Sequence, residues 1–127
     1  MTPNDLTKAE LSMLIQRRVV EASDLPSPSW LGQATKTELL AWLDEKCAFT
    51  TFDVYEVRQQ RLHMATSEAR SAFCDAVQHE LSQEEIVLAE RRMNRAIKRE
   101  NDFHQELIAF QDARIKQYRR ETVSWKN

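Results

Sequence analysis

The sequence predicts an all-α protein, and three observations carry that prediction. The 127 residues hold one glycine (Gly32) and three prolines (Pro3, Pro26, Pro28), four turn-formers where average usage gives roughly fifteen. Hairpin turns, doubly wound sheets and phosphate-cradling loops need glycine where the backbone takes positive φ or approaches a ligand, so most sheet folds are excluded. Apolar residues recur at steps of three and four over long stretches without a breaker. Three Ser/Thr-x-x-Glu capping boxes stand where such stretches begin. The expected architecture is a short N-terminal helical pair (1–52) followed by a long antiparallel, coiled-coil-like helical hairpin (53–127).

In the first element, Thr7-Lys8-Ala9-Glu10 is a capping box with Leu6 and Leu11 at the staple positions. Leu11, Leu14, Ile15 and Val19 then give a helix from about Lys8 to Ala22. Ser23 to Gln33 contains both internal prolines and the only glycine, so it is expected to be the main irregular connection and the place for any adaptive loop, with Trp30 and Leu31 packed as plugs. A second box, Thr35 to Glu38, opens a helix with Leu39, Leu40, Trp42 and Leu43 on its apolar face, ending near Lys46.

Phe49-Thr50-Thr51-Phe52 reads as a short β-branched link, with Asp53 capping a helix from Val54 to Glu80. Leu62, Ala65, Ala69, Ala72 and Ala76 form its expected seam, small enough for close approach of another helix. The third box, Ser82 to Glu85, with Leu81 and Ile86 as staple, places a corner at Leu81 and Ser82; a helix continuous through that point is the competing reading. From Gln83 to about Thr122, positions 86, 89, 93, 96, 100, 103, 107, 110 and 114 trace a heptad seam. That helix spans roughly 60 Å and its predecessor about 42 Å. The excess, Glu106 to Thr122, carries Leu107, Ile108, Phe110, Ile115 and Tyr118, too apolar to stand in water without a partner.

Composition narrows the function classes. The net charge of −2 gives no bulk attraction to nucleic acid or anionic lipid. No apolar run approaches a membrane span, and Met1 to Asp5 lacks the pattern of a secretory leader. Cys47 and Cys74 lie outside any CxxC pattern and fit cytoplasmic thiols. His63, His79 and His104 make neither a Glu-x-x-His di-iron pattern nor close Cys/His pairs for zinc, so no metal or other cofactor is expected. Glu100, inside the seam, is expected to pair with an arginine across the helices or to fix their register. No nucleophile stands beside a plausible base, and Cys74 on its alanine-rich stretch reads as core, so neither catalysis nor a small-molecule substrate is expected.

Two surfaces remain. Trp30, Trp42, Leu107, Phe110, Ile115 and Tyr118 are candidate contacts for a protein partner or a second copy of the chain. Arg91, Arg92, Arg95, Lys98 and Arg99 put five cations into nine residues and, with Lys36, are candidate contacts for a phosphate backbone. Residues 53–127 carry 13 basic and 13 acidic side chains, which favours pairing along a solvated helix instead.

Leu6-Thr7-Lys8-Ala9-Glu10-Leu11 with Leu14-Ile15, and Ala34-Thr35-Lys36-Thr37-Glu38-Leu39-Leu40 with Trp42-Leu43, resemble the helix-extension-helix modules, among them SAP, LEM and Rho N-terminal-like domains. The resemblance covers about 40 residues of the 127. It implies binding of DNA, RNA or a protein, and modules of this kind occur in phage proteins. The connection here is longer and richer in proline and tryptophan, and residues 1–52 hold five basic against seven acidic side chains, fewer cations than a nucleic-acid-binding version carries.

Overall fold

A computed structural model describes residues 1–18 and 25–126, with side chains through 122. Five α-helices follow a 3-10 turn at Pro3–Asp5: α1 (Lys8–Arg18), α2 (Pro28–Gln33), α3 (Lys36–Lys46), α4 (Thr51–Gln78) and α5 (Gln83–Lys126). There is no strand among the described residues, so the all-α class holds. The expected extension of the first helix through Val19 to Ala22 lies outside the described residues. The chain divides into two compact units, 1–61 and 62–127.

In the first unit the helices start where side chains replace missing backbone partners. The Thr7 amide donates to Glu10 Oε1 (2.9 Å) and the Glu10 amide to Thr7 Oγ1 (3.2 Å), completing the expected box. The Glu38 amide donates to Thr35 Oγ1 in the same way at α3. Of the expected irregular stretch, Ser23 and Asp24 lie outside the described residues, and the remainder departs from that path: Ser27 Oγ accepts the Trp30 amide, Pro28 occupies the first turn, and α2 forms. Proline costs nothing there because that N–H has no helical partner. Gly32 sits inside α2 without positive φ, so the glycine is not supplying backbone freedom.

Thr50 and Asp53 correct the expected start of α4. The Thr50 amide donates to Asp53 Oδ2 (2.7 Å) and the Asp53 amide to Thr50 Oγ1 (3.3 Å), so Asp53 is the third residue of a box, not the cap itself. The helix therefore begins at Thr51. The first turns of α4 complete this unit's core: Val54 and Val57 are fully buried with Leu6, Leu11, Leu14, Ile15, Leu39 and Leu43. This is why the unit extends to Arg61 and not to 52.

Three ion pairs bind α1 to the start of α4. Arg58 Nε donates to Glu10 Oε2 (2.9 Å) and its Nη2 to Glu10 Oε1 (3.1 Å), a two-point grip on a carboxylate that is 3% exposed. Arg17 meets Glu56 at 3.2 Å, and Arg18 pairs with the buried Asp53. Burial pushes the Glu10 carboxyl up, but Arg58 and the Thr7 amide outweigh it and hold it below its ordinary value.

In the second unit α4 stops without glycine. The Leu81 amide donates to the Ala76 carbonyl (3.1 Å) and the Glu80 amide to the Val77 carbonyl (3.2 Å). This is the Schellman pattern, and its left-handed position is Glu80, with φ of 51°. The Glu85 amide then donates to Ser82 Oγ (3.3 Å) and α5 begins at Gln83. The helix is broken here, which excludes a helix continuous through Leu81 and Ser82.

The face that α4 buries differs from the expected alanine seam. Thr66 and Ala76 are buried, Leu62, Ala69 and Phe73 are half-buried, and Ala65 and Ala72 are exposed. The inward line is thus 62, 66, 69, 73 and 76: Leu62, Ala69 and Ala76 keep their expected places, while Thr66 and Phe73 stand in for Ala65 and Ala72. Thr66 explains the choice: its hydroxyl lies 3.1 Å from the Leu62 carbonyl and 3.3 Å from the Ala96 carbonyl of α5, an interaction alanine lacks. Cys74 is exposed, not core. On α5 the expected positions 86, 89, 93, 96, 100, 103, 107 and 110 are all buried or half-buried, while Arg114 is exposed.

Candidate functional site

The apolar candidates divide between the two units. In the first, Trp30 on α2 and Trp42 on α3 are tilted against each other, ring centroids 6.4 Å apart. Both are half-buried against the leucine core, and Leu31 beside them is buried. Such a pair buries its bodies and leaves its rims to water, so it braces α2 on α3 while presenting aromatic edge outward.

In the second unit the tail of α5 carries the exposed apolar surface. Leu107 is 5% exposed and therefore already buried within the chain, and Phe110 is half-buried beneath the Arg114 guanidinium at 5.8 Å. Ile108, Ile115 and Tyr118 are 37%, 48% and 69% exposed. Their spacings of seven and three place them on one side of the helix. Of the four apolar contacts expected on α5, the structure leaves Ile115 and Tyr118 open and adds Ile108 to them. The sequence marked Ile108 as too apolar for water but did not separate it from buried Leu107.

Glu100 is the polar group inside the seam, and its partner is histidine, not the expected arginine. His63 Nδ1 on α4 lies 2.7 Å from Glu100 Oε1. The Thr66 hydroxyl and the His63 ring hold the Glu100 carboxyl below its ordinary value, with the Arg70 charge adding to them. Among the described residues no three His, Cys, Asp or Glu side chains converge as a metal site would require. Burial raises the Cys47 thiol, which leaves it less thiolate, the opposite of an activated nucleophile.

The basic candidates lie on α5 between Glu90 and Glu100. Arg91, Arg92, Arg95, Lys98 and Arg99 are all exposed, on the side turned away from the seam. None takes part in any of the ion pairs formed among the described residues. The expected internal neutralisation is absent from this stretch: Glu56 is engaged by Arg17, and Glu100 by His63. Lys36 belongs to α3 in the first unit, where its ammonium donates to the Asn4 carbonyl.

Among the described residues no helix is long and apolar enough to cross a membrane. No family model, curated protein or solved structure matches the chain.

Proposed function

We propose that this chain is a non-enzymatic binding protein, an adaptor or inhibitor that docks a helical stripe on a protein partner or on a second copy of itself. One observation carries the reading: Ile108, Ile115 and Tyr118 stand exposed on one side of α5 within eleven residues. Burying the remaining exposed surface of Ile108 and Ile115 on a partner gains roughly 0.5–1.5 kcal/mol for each, under half of the full-burial value because both are already more than half covered, and together with Tyr118 this reaches the scale of an interface hot spot. Phe110 and Arg114 flank the stripe, and Leu107 braces it from beneath. The Trp30 and Trp42 rims supply a second contact surface.

In the same reading α4 and α5 pair as an antiparallel, coiled-coil-like hairpin. Support comes from the order of the partners: Thr66 meets Ala96, while His63, earlier on α4, meets Glu100, later on α5. Eight of the nine heptad positions of α5 are among its less exposed residues, which supports it too. Such a hairpin leaves the longer helix projecting past its mate, and the docking surface runs from Ile108 onto the projecting part at Ile115 and Tyr118.

Titration with an apolar-surface dye tests this against the Ile108→Ser, Ile115→Ser, Tyr118→Ser triple variant. The wild-type chain is expected to bind dye, or to hide the stripe by self-association, and the variant to do neither. Identical dye binding and identical mass for the two proteins refutes the stripe as the docking surface.

A further inference from the structure

Between Glu90 and Glu100 every charged residue on α5 is a cation. In that interval every exposed side chain except Asn94 is Arg91, Arg92, Arg95, Lys98 or Arg99, while Met93, Ala96 and Ile97 turn partly inward. Carboxylates are available nearby on the same helix, at Glu84, Glu85, Glu90 and Asp102, yet none closes an ion pair on these five. The cluster is therefore a strip of cations that close no ion pair among the described residues. Holding five like charges together on one helix disfavours folding by a few tenths of a kcal/mol per neighbouring pair, so the arrangement opposes stability.

From this strip we infer a binding site for the phosphodiester backbone of a nucleic acid. The eight steps from Arg91 to Arg99 rise about 12 Å, a length over which a duplex presents about seven phosphates, counting both strands at 1.7 Å each, enough to engage all five cations. Four of the five cations are arginine, whose planar fork grips phosphate oxygens at two points. An acidic protein fits the strip less well. A stable protein interface needs an apolar core within its polar rim; between Arg91 and Arg99 every fully exposed side chain is polar, and the one exposed apolar neighbour is Leu88, a turn before the strip. Solvent-exposed ion pairs alone contribute about 0–1 kcal/mol each. A polyanion gains from the same charges by shedding its condensed counterions. The base edges have no reader here, so the site is backbone-directed and sequence-independent. It stands on a side of α5 other than that of Ile108, Ile115 and Tyr118, and it does not depend on that stripe having a partner.

Fluorescence anisotropy of a labelled 20-base-pair DNA duplex, with the full chain, tests the inference. Neutralising five phosphates predicts that affinity falls about 500-fold between 50 and 200 mM NaCl; with the Arg92→Gln, Arg95→Gln variant the three remaining cations predict about 40-fold. At 50 mM salt the variant binds at least tenfold more weakly, while its helical circular dichroism and Tm stay those of wild type because neither arginine has a partner to lose. Poly-glutamate of equal charge is expected to compete poorly. Absence of binding at 50 mM salt, an unchanged salt slope in the variant, or equal displacement by poly-glutamate, which would assign the strip to an acidic protein, each overturns the proposal.

Discussion

Glu80 is a residue at which two backbone conformations predict opposite responses to one substitution. Its φ of 51° is left-handed, a region that costs an L-residue about 1–2 kcal/mol because Cβ crowds the following carbonyl. Glycine removes that cost and adds about 0.5–1 kcal/mol of unfolded-chain entropy to be overcome. Glu80→Gly is therefore expected to stabilise the protein by about 0.5–1 kcal/mol, raising Tm by about 2–4 °C. Glu80→Ala, which keeps Cβ, should leave Tm near the wild-type value. If α4 and α5 were one helix through this point, glycine would instead cost up to about 1 kcal/mol and alanine would gain a little. The assay is thermal unfolding followed by circular dichroism on the three proteins. Tm ordered alanine, glutamate, glycine from highest to lowest refutes the Schellman turn and the hairpin proposed on it.

Other consequences follow from the first unit. Arg58→Met leaves the Glu10 carboxylate buried without its counter-charge and is expected to cost about 3 kcal/mol in denaturant unfolding; a loss under 1 kcal/mol would show the grip to be incidental. The Glu10 carboxyl is depressed in the folded state, so its contribution is complete above its ordinary value of 4.5 and is lost as pH falls through the folded value. Glu10→Gln should accordingly flatten the dependence of stability on pH below about 5, and an unchanged acid limb would contradict the pairing. Gly32→Ala places a Cβ that meets nothing within 4 Å in a helical position without positive φ, and a gain of about 0.5–1 kcal/mol is expected. A Tm that falls would restore the reading of this segment as an adaptive loop.

The residues that were legible in the sequence act locally. The boxes at Thr7, Thr35 and Ser82 span four residues each, and their chemistry is complete within those four. The α5 seam was legible because its period repeats over eight positions with few competing stripes. The α4 seam was not, since alanines at 65 and 72 and the Thr66–Phe73 line are both helical stripes of similar apolarity. A hydroxyl reaching the Ala96 carbonyl, thirty residues away, separates them. Thr50 is masked by its neighbours: between two phenylalanines and beside Thr51 it reads as strand-like, which leaves Asp53 as the apparent cap. Proline at 26 and 28 suggested an irregular path, although Pro28 stands at the one helical position that suits it. The pairs of Glu10 with Arg58 and of Glu100 with His63 join residues 48 and 37 apart, and periodicity within a segment carries no information about such partners.

On the function proposed above, the exposed side chains of the α5 tail are there to be covered. Light scattering joined to apolar-dye binding on the same purified sample tests it most directly. The expected result is either a mass above the 14.9 kDa of one chain, or a single chain that binds dye and loses that binding when Ile108, Ile115 and Tyr118 are replaced by serine. A uniform 14.9 kDa particle that binds no dye would contradict the account.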